Sequence, residues 1–157
     1  MRLTIDIYFR IIELFDTERC DFMTVVVCVD DRMAMMFGKR RQSQDVRLRE
    51  RVLAMSADQT LWMNAYSAKQ FAEHTAPQIR VDENCLQNAA DEDICFIEDM
   101  ALLPYVERID RIVLYRWNRH YPGNRYFDLP LEQYNLEHTE EFVGNSHEKI
   151  TEEIYIR

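Results

Sequence analysis

The sequence lacks a long apolar run and any regular cysteine pattern. None of its apolar stretches approaches the roughly 20 residues that a membrane-spanning helix needs, and its start shows no signal-peptide pattern. The four cysteines, Cys20, Cys28, Cys85 and Cys95, contain no CxxC pair. Two of them fall in predicted buried strands, which is typical of reduced core thiols rather than of disulfides or metal ligands. These absences predict a cytoplasmic protein.

Histidine and positive charge are both scarce. The four histidines, His74, His120, His138 and His147, are scattered, and no two have the spacing of zinc ligands. The 19 Lys and Arg residues are outnumbered by 28 Asp and Glu residues, so the formal net charge is −9. Because contacts to phosphates need a basic surface, this charge disfavours general binding to nucleic acid or anionic membranes. We therefore predict no bound metal and expect a small molecule as the ligand.

The sequence does contain the pattern of one α/β domain. Its 157 residues are enough to bury roughly 70% of the unfolded surface. The stretch 94–127 organises the chain. The apolar run 94–97 predicts a buried strand, Pro104 begins a short helix that ends near Arg108, and 112–115 predicts a second buried strand. This order forms a βαβ unit with parallel strands.

Elements on both sides complete the predicted fold. We predict a strand over 24–29, a long loop over 32–42 and then a helix from a Ser43 cap to Met55. A strand over 60–63 and a helix from a Ser67 cap to Glu73 follow. The last elements of this part are a strand over 79–81 and a short helix within 82–93. Strands over 141–143 and 150–156 close the chain as a hairpin. The result is a three-layer α/β sandwich with a mostly parallel mixed sheet and an antiparallel C-terminal hairpin.

Residues 1–22 differ from the rest. Their apolar residues repeat at helical spacing, so the segment could form an amphipathic helix on the domain. A strand begins directly after Met23, however, so we interpret 1–22 as an N-terminal extension, with Met23 as the natural start. The predicted domain then covers residues 23–157.

Several motifs of residues 23–157 resemble the dihydrofolate reductase family. They are Val25–Asp30, Trp62-Met63, Phe96-Ile97, Leu103-Pro104, Val113–Tyr115, Gly123–Phe127 and Ile154–Arg157. The resemblance implies a dihydrofolate reductase-like fold. It also places Asp45 where the family has its pterin-binding carboxylate, and Tyr115 in place of the threonine paired with that acid. Alternatively, Asp45 is an ordinary acid favoured by the helix dipole.

Two departures from the family concern its cofactor. Glu98-Asp99 stands where the family has paired glycines that let the backbone approach the pyrophosphate of NADPH, and carboxylates there would repel it. Asn64–Ser67 replaces a Gly-Arg-x-Thr motif and keeps only the hydroxyl of Ser67. The resemblance therefore implies a protein that has lost its NADPH contacts, so we predict no cofactor. NADPH remains the alternative.

The segments VCVDDR, RRQSQD, LYRWNR and SHEKIT also resemble a small uncharacterised bacterial family. Some of its members are labelled ribonuclease Z, an enzyme that needs a zinc-binding HxHxDH motif. This sequence has no such motif, which disfavours a two-metal nuclease. Within SHEKIT, Ser146, His147 and Glu148 are sequence neighbours whose side chains point in different directions, so they do not predict a catalytic triad.

A basic island of six cations, Lys39, Arg40, Arg41, Arg47, Arg49 and Arg51, interrupts the acidic chain. Arg40 and Arg41 precede the helix that carries Asp45, where an anion would be favoured. The island could equally be a solvated helix face. Trp62 should lie close to the same cleft.

We therefore predict a cleft for a small anionic or heterocyclic ligand, with Asp45 and Tyr115 as candidate catalytic residues and Arg40, Arg41, Ser67 and Trp62 as candidate ligand-binding residues. One alternative is an NADPH-dependent reductase with unusual cofactor contacts. A second is an interaction or RNA-binding module that uses the basic island at 39–51.

Overall fold

The computed structural model describes residues 22–157. Ten strands form two sheets, with bounds β1 Met23–Val29, β2 Ala34–Phe37, β3 Arg40–Arg41, β4 Leu61–Met63, β5 Ile79–Val81, β6 Ile94–Phe96, β7 Ile109–Arg116, β8 Arg125–Tyr126, β9 Asn135–Phe142 and β10 Ile150–Ile156. The large sheet has the order β5-β4-β6-β1-β7-β10-β9, and the small one β3-β2-β8. In the large sheet, β10 is antiparallel to both neighbours, and the pairs from β5 to β7 are parallel.

The large sheet has a core on each face because successive strand residues point to opposite sides. In β1, Val25, Val27 and Val29 belong to one buried cluster, together with residues of helix α3, Cys85–Asn88. Val26 belongs to the other cluster, together with residues of helix α1, Val46–Met55. The predicted three-layer α/β sandwich with a mostly parallel mixed sheet and an antiparallel C-terminal hairpin is confirmed.

The predicted βαβ unit is present with two differences. Strands β6 and β7 are parallel, but they are not neighbours, because β1 pairs with both and lies between them. The connection is a 3-10 helix, Leu103–Arg108, with Pro104 in its first turn. Apolar runs indicate that a strand is buried, but they do not specify its partner.

The prediction of a loop over 32–42 was wrong. This segment contains the hairpin β2–β3, and β8 joins its other edge. The hairpin turn is Gly38-Lys39, with φ angles of 57° and 62°. Positive φ at both turn positions matches the right-handed twist of the flanking strands. The strands are short, so they left no clear alternating pattern in the sequence.

Both predicted serine caps were wrong. Helix α1 is capped by Asp45, whose carboxylate accepts from the backbone of Arg47 and Leu48. Helix α2, Ala65–Ala68, is capped by Asn64 and continues as a 3-10 turn, Lys69–Phe71. Asp and Asn cap as well as Ser does, so composition alone did not decide between neighbouring candidates.

The predicted extension at 1–22 lies outside the described residues, except for Phe22. The backbone carbonyl of Phe22 accepts a hydrogen bond from the Glu92 amide, 3.2 Å away. Within 22–157, no helix is both long and apolar enough to cross a membrane. The cysteines of this range, Cys28, Cys85 and Cys95, are free thiols.

Candidate functional site

The loop between β9 and β10 packs against the start of helix α1. Asp45 is only 2% exposed, and besides the two helix amides it accepts from the backbone amides of Asn145 (3.1 Å) and Ser146 (2.9 Å) and from the Ser146 hydroxyl (3.1 Å). Burial raises the pKa of Asp45, but the hydrogen bonds from Ser146, Asn145, His147 and Arg47 lower it by more. The pKa of Asp45 is therefore well below its ordinary value. The carboxylate is therefore ionised and fixed in place.

His147 is the second buried member of this cluster. Its Nδ1 atom lies 3.0 Å from Asp45 Oδ2, and its ring stacks on Trp117 with centroids 4.6 Å apart. On the other side of the ring, Nε2 lies 2.9 Å from Ser43 Oγ and 3.2 Å from the Tyr121 hydroxyl. Because an ionised carboxylate can only accept, Nδ1 donates to Asp45, and in the neutral ring Nε2 is then the acceptor.

Gly144 lets the loop approach Asp45 this closely. A Cβ atom at position 144 would lie 2.6 Å from Asp45 Oδ2 and 3.0 Å from the His147 carbonyl oxygen. The Gly144 amide also donates to that carbonyl, at 2.9 Å. A side chain at 144 would therefore push the loop away from α1.

Asp30, fully buried at the end of β1, holds the neighbouring segments. Its Oδ1 accepts from the amides of Arg32 and Ala34, and its Oδ2 accepts from the Gln42 side chain and the Tyr121 amide. The structure thus brings together segments that are far apart in the sequence: VCVDDR with Asp30, RRQSQD with Ser43 and Asp45, LYRWNR with Trp117, and SHEKIT with His147.

A second cluster surrounds Glu98. This carboxylate is 7% exposed and accepts from Arg41 Nε (2.9 Å), Arg41 Nη2 (3.2 Å), Ser67 Oγ (2.8 Å) and Gln70 Nε2 (2.9 Å). Burial lowers the pKa of Arg41, but the hydrogen bond and charge of Glu98 raise it by more. Arg41 also lies over the Tyr66 ring, 4.3 Å from its centroid. These donors could bind an anion such as phosphate, but the Glu98 carboxylate already occupies them.

Beside this cluster lies a cavity of about 840 Å³, which we call the hairpin cavity. It is lined by Met36, Gly38, Lys39, Asp99, Asn124, Arg125 and Tyr126. Asn124 Oδ1 accepts from the Gly38 amide (3.2 Å), which joins the β2–β3 turn to the segment before β8. Among residues 22–157, neither Lys39 nor Arg125 forms a salt bridge. Lys39 and Arg125 therefore give the cavity two positive charges, and Asp99 adds one negative charge to its lining.

The predicted site residues lie in several different places. Asp45 and Tyr115 belong to separate hydrogen-bond networks: Tyr115 is fully buried, and its hydroxyl donates to Glu152 at 2.8 Å. Burial and the charge of Glu152 raise the pKa of Tyr115 well above its ordinary value. Arg40 is exposed on β3. Trp62 is 5% exposed, and its indole nitrogen donates to Asp93. The roles assigned to these residues stay predictions.

The basic island is not a continuous positive surface. Arg41 pairs with Glu98, and Arg51 pairs with Glu140 and Glu152. Arg49 is 8% exposed, and its guanidinium donates to His74 and Gln44. Half of the island is thus held by other side chains, which leaves little charge for an RNA backbone.

One group in the described part of the chain could place three metal ligands together. Atoms of His138, Glu140 and Glu152 lie within 4.8 Å of one another. Arg51 Nη2 is already 2.8 Å from Glu140 and 3.1 Å from Glu152, so a guanidinium already pairs with both carboxylates. The donor set therefore gives no reason to assign a metal.

Sequence reasoning missed the link between His147 and Asp45, which are separated by 102 positions. It also predicted that Ser43 caps a helix, whereas the Ser43 hydroxyl forms a hydrogen bond with His147 Nε2. The available signal was Gly144, one of only three glycines in the chain, since a rare glycine in a loop often marks a close approach of the backbone.

Comparison with known proteins identifies the fold. No family model and no curated protein matches the sequence. Among solved structures, a dihydrofolate reductase from Enterococcus faecalis, complexed with NADP(H) and RAB-propyl, matches with a TM-score of 0.63 and 9% identity, over 87% of this chain and 96% of that one. At this identity the match establishes a dihydrofolate reductase-like fold, as expected from the sequence.

Proposed function

We propose that this chain, which has a dihydrofolate reductase-like fold, binds a small anionic heterocycle in the hairpin cavity and does not use NADPH. The observation that carries the proposal is the pair of cations, Lys39 and Arg125, at a cavity of about 840 Å³. Small-molecule sites usually enclose roughly 300–1,000 Å³ and carry a few placed polar groups.

The lining of the cavity supports a ligand that combines a ring with negative charge. Tyr126 is 51% exposed and offers an aromatic face, while Asn124 offers an amide. Lys39 is held at the tip of a tight turn with a positive φ of 62°, a conformation that costs a non-glycine residue roughly 1–2 kcal/mol. The turn places Lys39 in the lining of the cavity.

The Glu98 cluster supports the proposal that this protein does not use NADPH. Arg41, Ser67 and Gln70 are groups suited to a phosphate, but Glu98 occupies them all. A phosphate would have to displace the Glu98 carboxylate from these donors, because Arg41 already forms an ion pair with it. In the sequence, Glu98 also stands where the reductase family has glycine. We therefore propose that Glu98 excludes the cofactor.

We also propose a cytoplasmic location, based on the free thiols of Cys28, Cys85 and Cys95. Cysteines that remain unpaired in the core are typical of reducing compartments.

Isothermal titration calorimetry with dihydrofolate, adenosine monophosphate and NADPH tests the proposal. We expect saturable binding of at least one of the first two ligands and none of NADPH. In the Lys39→Glu/Arg125→Glu variant, affinity should fall by about 100-fold, or about 10-fold per cation.

Arg119→Glu is the matched control, because Arg119 is exposed and lies outside the residues that line the hairpin cavity. It should bind like the wild type. If neither small ligand binds at millimolar concentration, the ligand proposal is wrong. Saturable micromolar binding of NADPH would instead support the alternative of a reductase with unusual cofactor contacts.

A further inference from the structure

We propose that Ser43, His147 and Asp45 form a catalytic triad that hydrolyses small carboxylic esters, with Ser43 as the nucleophile. This activity is independent of the hairpin cavity and of the ligand proposed for it. The geometry carries the inference: Ser43 Oγ lies 2.9 Å from His147 Nε2, and His147 Nδ1 lies 3.0 Å from Asp45 Oδ2. Nucleophile, base and orienting acid are thus connected in the order that such catalysis requires.

The orienting acid is firmly held. The Asp45 carboxylate accepts from Asn145, Ser146 and the first turn of α1, so its position does not depend on His147. Because Nδ1 donates to this carboxylate, the neutral ring carries its proton on Nδ1, and Nε2 can accept a hydrogen bond. A proton on Ser43 Oγ can therefore pass to Nε2, and the resulting imidazolium would be stabilised by Asp45.

Burial separates the roles of the three residues. The side chains of His147 and Asp45 are 2% and 0% exposed, whereas Ser43 is half-buried. The base is thus buried, while the nucleophile lies at the more exposed end of the chain of hydrogen bonds. Trp117, stacked on the imidazole, prevents the ring from rotating away from Ser43.

Two small cavities lie near the segment that carries Ser43, although Ser43 itself is not among the residues that line either of them. One, of about 400 Å³, is lined by Gln44, Asp45 and Ser146 among others. The other, of about 260 Å³, includes Tyr121 and Asp30. Because Ser43 is half-buried and lies outside the lining of the large hairpin cavity, the proposal is limited to a short-chain ester. Once Nε2 has taken the serine proton it can no longer accept from the Tyr121 hydroxyl, 3.2 Å away, and this hydroxyl is then free to donate to an oxyanion.

The reaction balances with water as the only co-reactant. Ser43 Oγ attacks the carbonyl carbon, its proton moves to His147 Nε2, and the carbonyl electrons form an oxyanion. When the oxyanion collapses, the bond to the alkoxide breaks and the alkoxide takes the proton from Nε2, which leaves an acyl-Ser43. Water then repeats the sequence, releasing the carboxylic acid and restoring Ser43.

The test combines a rate with a covalent label. Wild-type protein is assayed with p-nitrophenyl acetate and is separately treated with a fluorophosphonate, in which a serine oxygen attacks phosphorus and fluoride leaves. We expect ester hydrolysis and labelling of Ser43, located by mass spectrometry of peptides. Ser43→Ala should abolish the label and lower kcat/KM by at least about 100-fold. Because Ser43 is half-buried, this variant should keep the wild-type Tm.

Thr139→Ala is the control, since Thr139 is an exposed hydroxyl on β9 and should leave rate and label unchanged. His147→Gln, verified as folded by circular dichroism, should lose labelling while Ser43 is still present. The proposal is overturned if Ser43 of the wild type remains unlabelled, or if Ser43→Ala hydrolyses the ester at the wild-type rate.

Discussion

Arg41 and Glu98, 57 positions apart in the sequence, form a bidentate ion pair. Arg41 Nε lies 2.9 Å from Glu98 Oε1, and Arg41 Nη2 lies 3.2 Å from Glu98 Oε2. The carboxylate is also bound by Ser67 and Gln70. Glu98 therefore occupies a set of donors that could otherwise bind an external anion.

Replacing Glu98 by Ala should make these donors available to an external anion. Arg41, Ser67 and Gln70 would lose their shared acceptor, so we expect the variant to bind inorganic pyrophosphate with a measurable Kd in calorimetry, whereas the wild type does not. Glu107→Ala removes the same charge from an exposed position and should gain no binding. If Glu98→Ala folds but remains unable to bind pyrophosphate, then Glu98 is not what excludes it.

The Asp45→Asn substitution should lower stability in a pH-dependent manner. The pKa of Asp45 is depressed in the folded state, so the unfolded state binds more protons, and the stabilisation is fully present above the unfolded pKa of about 3.9. It is lost as the pH falls towards the folded pKa. At pH 7 we expect the variant to be less stable by about 3 kcal/mol.

Urea unfolding at pH 7 and at pH 3 measures this difference in the free energy of unfolding, which should shrink at the lower pH. A gap of the same size at both pH values would mean that the ionised carboxylate is not the source of the stability. If Asp45→Asn folds and a reductase activity is lost, the alternative of a reductase gains support.

Gly144→Ala should be more harmful than Gly38→Ala. At 144 a new Cβ would meet Asp45 Oδ2 at 2.6 Å, so the loop must move, at a cost of about 1–3 kcal/mol. At 38 a Cβ would meet nothing within 4 Å, and only the positive φ of 57° opposes it, at about 1 kcal/mol. Thermal melting compares the two variants. Gly144→Ala should also slow ester hydrolysis, because it displaces Asp45 from His147, whereas Gly38→Ala should not.

Two tyrosine substitutions distinguish a structural residue from a ligand-binding one. Tyr115→Phe removes the donor to Glu152 and should destabilise the protein by about 1–2 kcal/mol without changing the affinity for dihydrofolate or adenosine monophosphate. Tyr126→Ala removes an exposed ring from the hairpin cavity and should weaken that affinity with little change in Tm. If Tyr115→Phe instead lost affinity, Tyr115 would belong to the ligand site, as predicted from the sequence.

The sequence determined the buried frame of this protein. The apolar runs at 24–29, 94–97 and 112–115 correspond to β1, β6 and β7. The closing hairpin was also predicted, but its first strand is Asn135–Phe142 rather than 141–143, because this strand is mostly exposed and has no apolar run. Burial on both faces of a sheet requires continuous apolar residues, and burial of one helix face requires Leu48 and Val52 at helical spacing. Both requirements act on neighbouring residues, so they leave a pattern that can be read locally.

The tertiary structure alone decided strand order and polar partners. Insertion of β1 between β6 and β7 depends on how whole strands pack, which no local pattern encodes. The contact between His147 and Asp45 spans 102 positions, and that between Glu98 and Arg41 spans 57. A single charged or hydroxyl side chain has many possible partners, and only the folded backbone brings one of them within hydrogen-bond distance. The frame was therefore predictable, whereas both candidate sites had to be found in the structure.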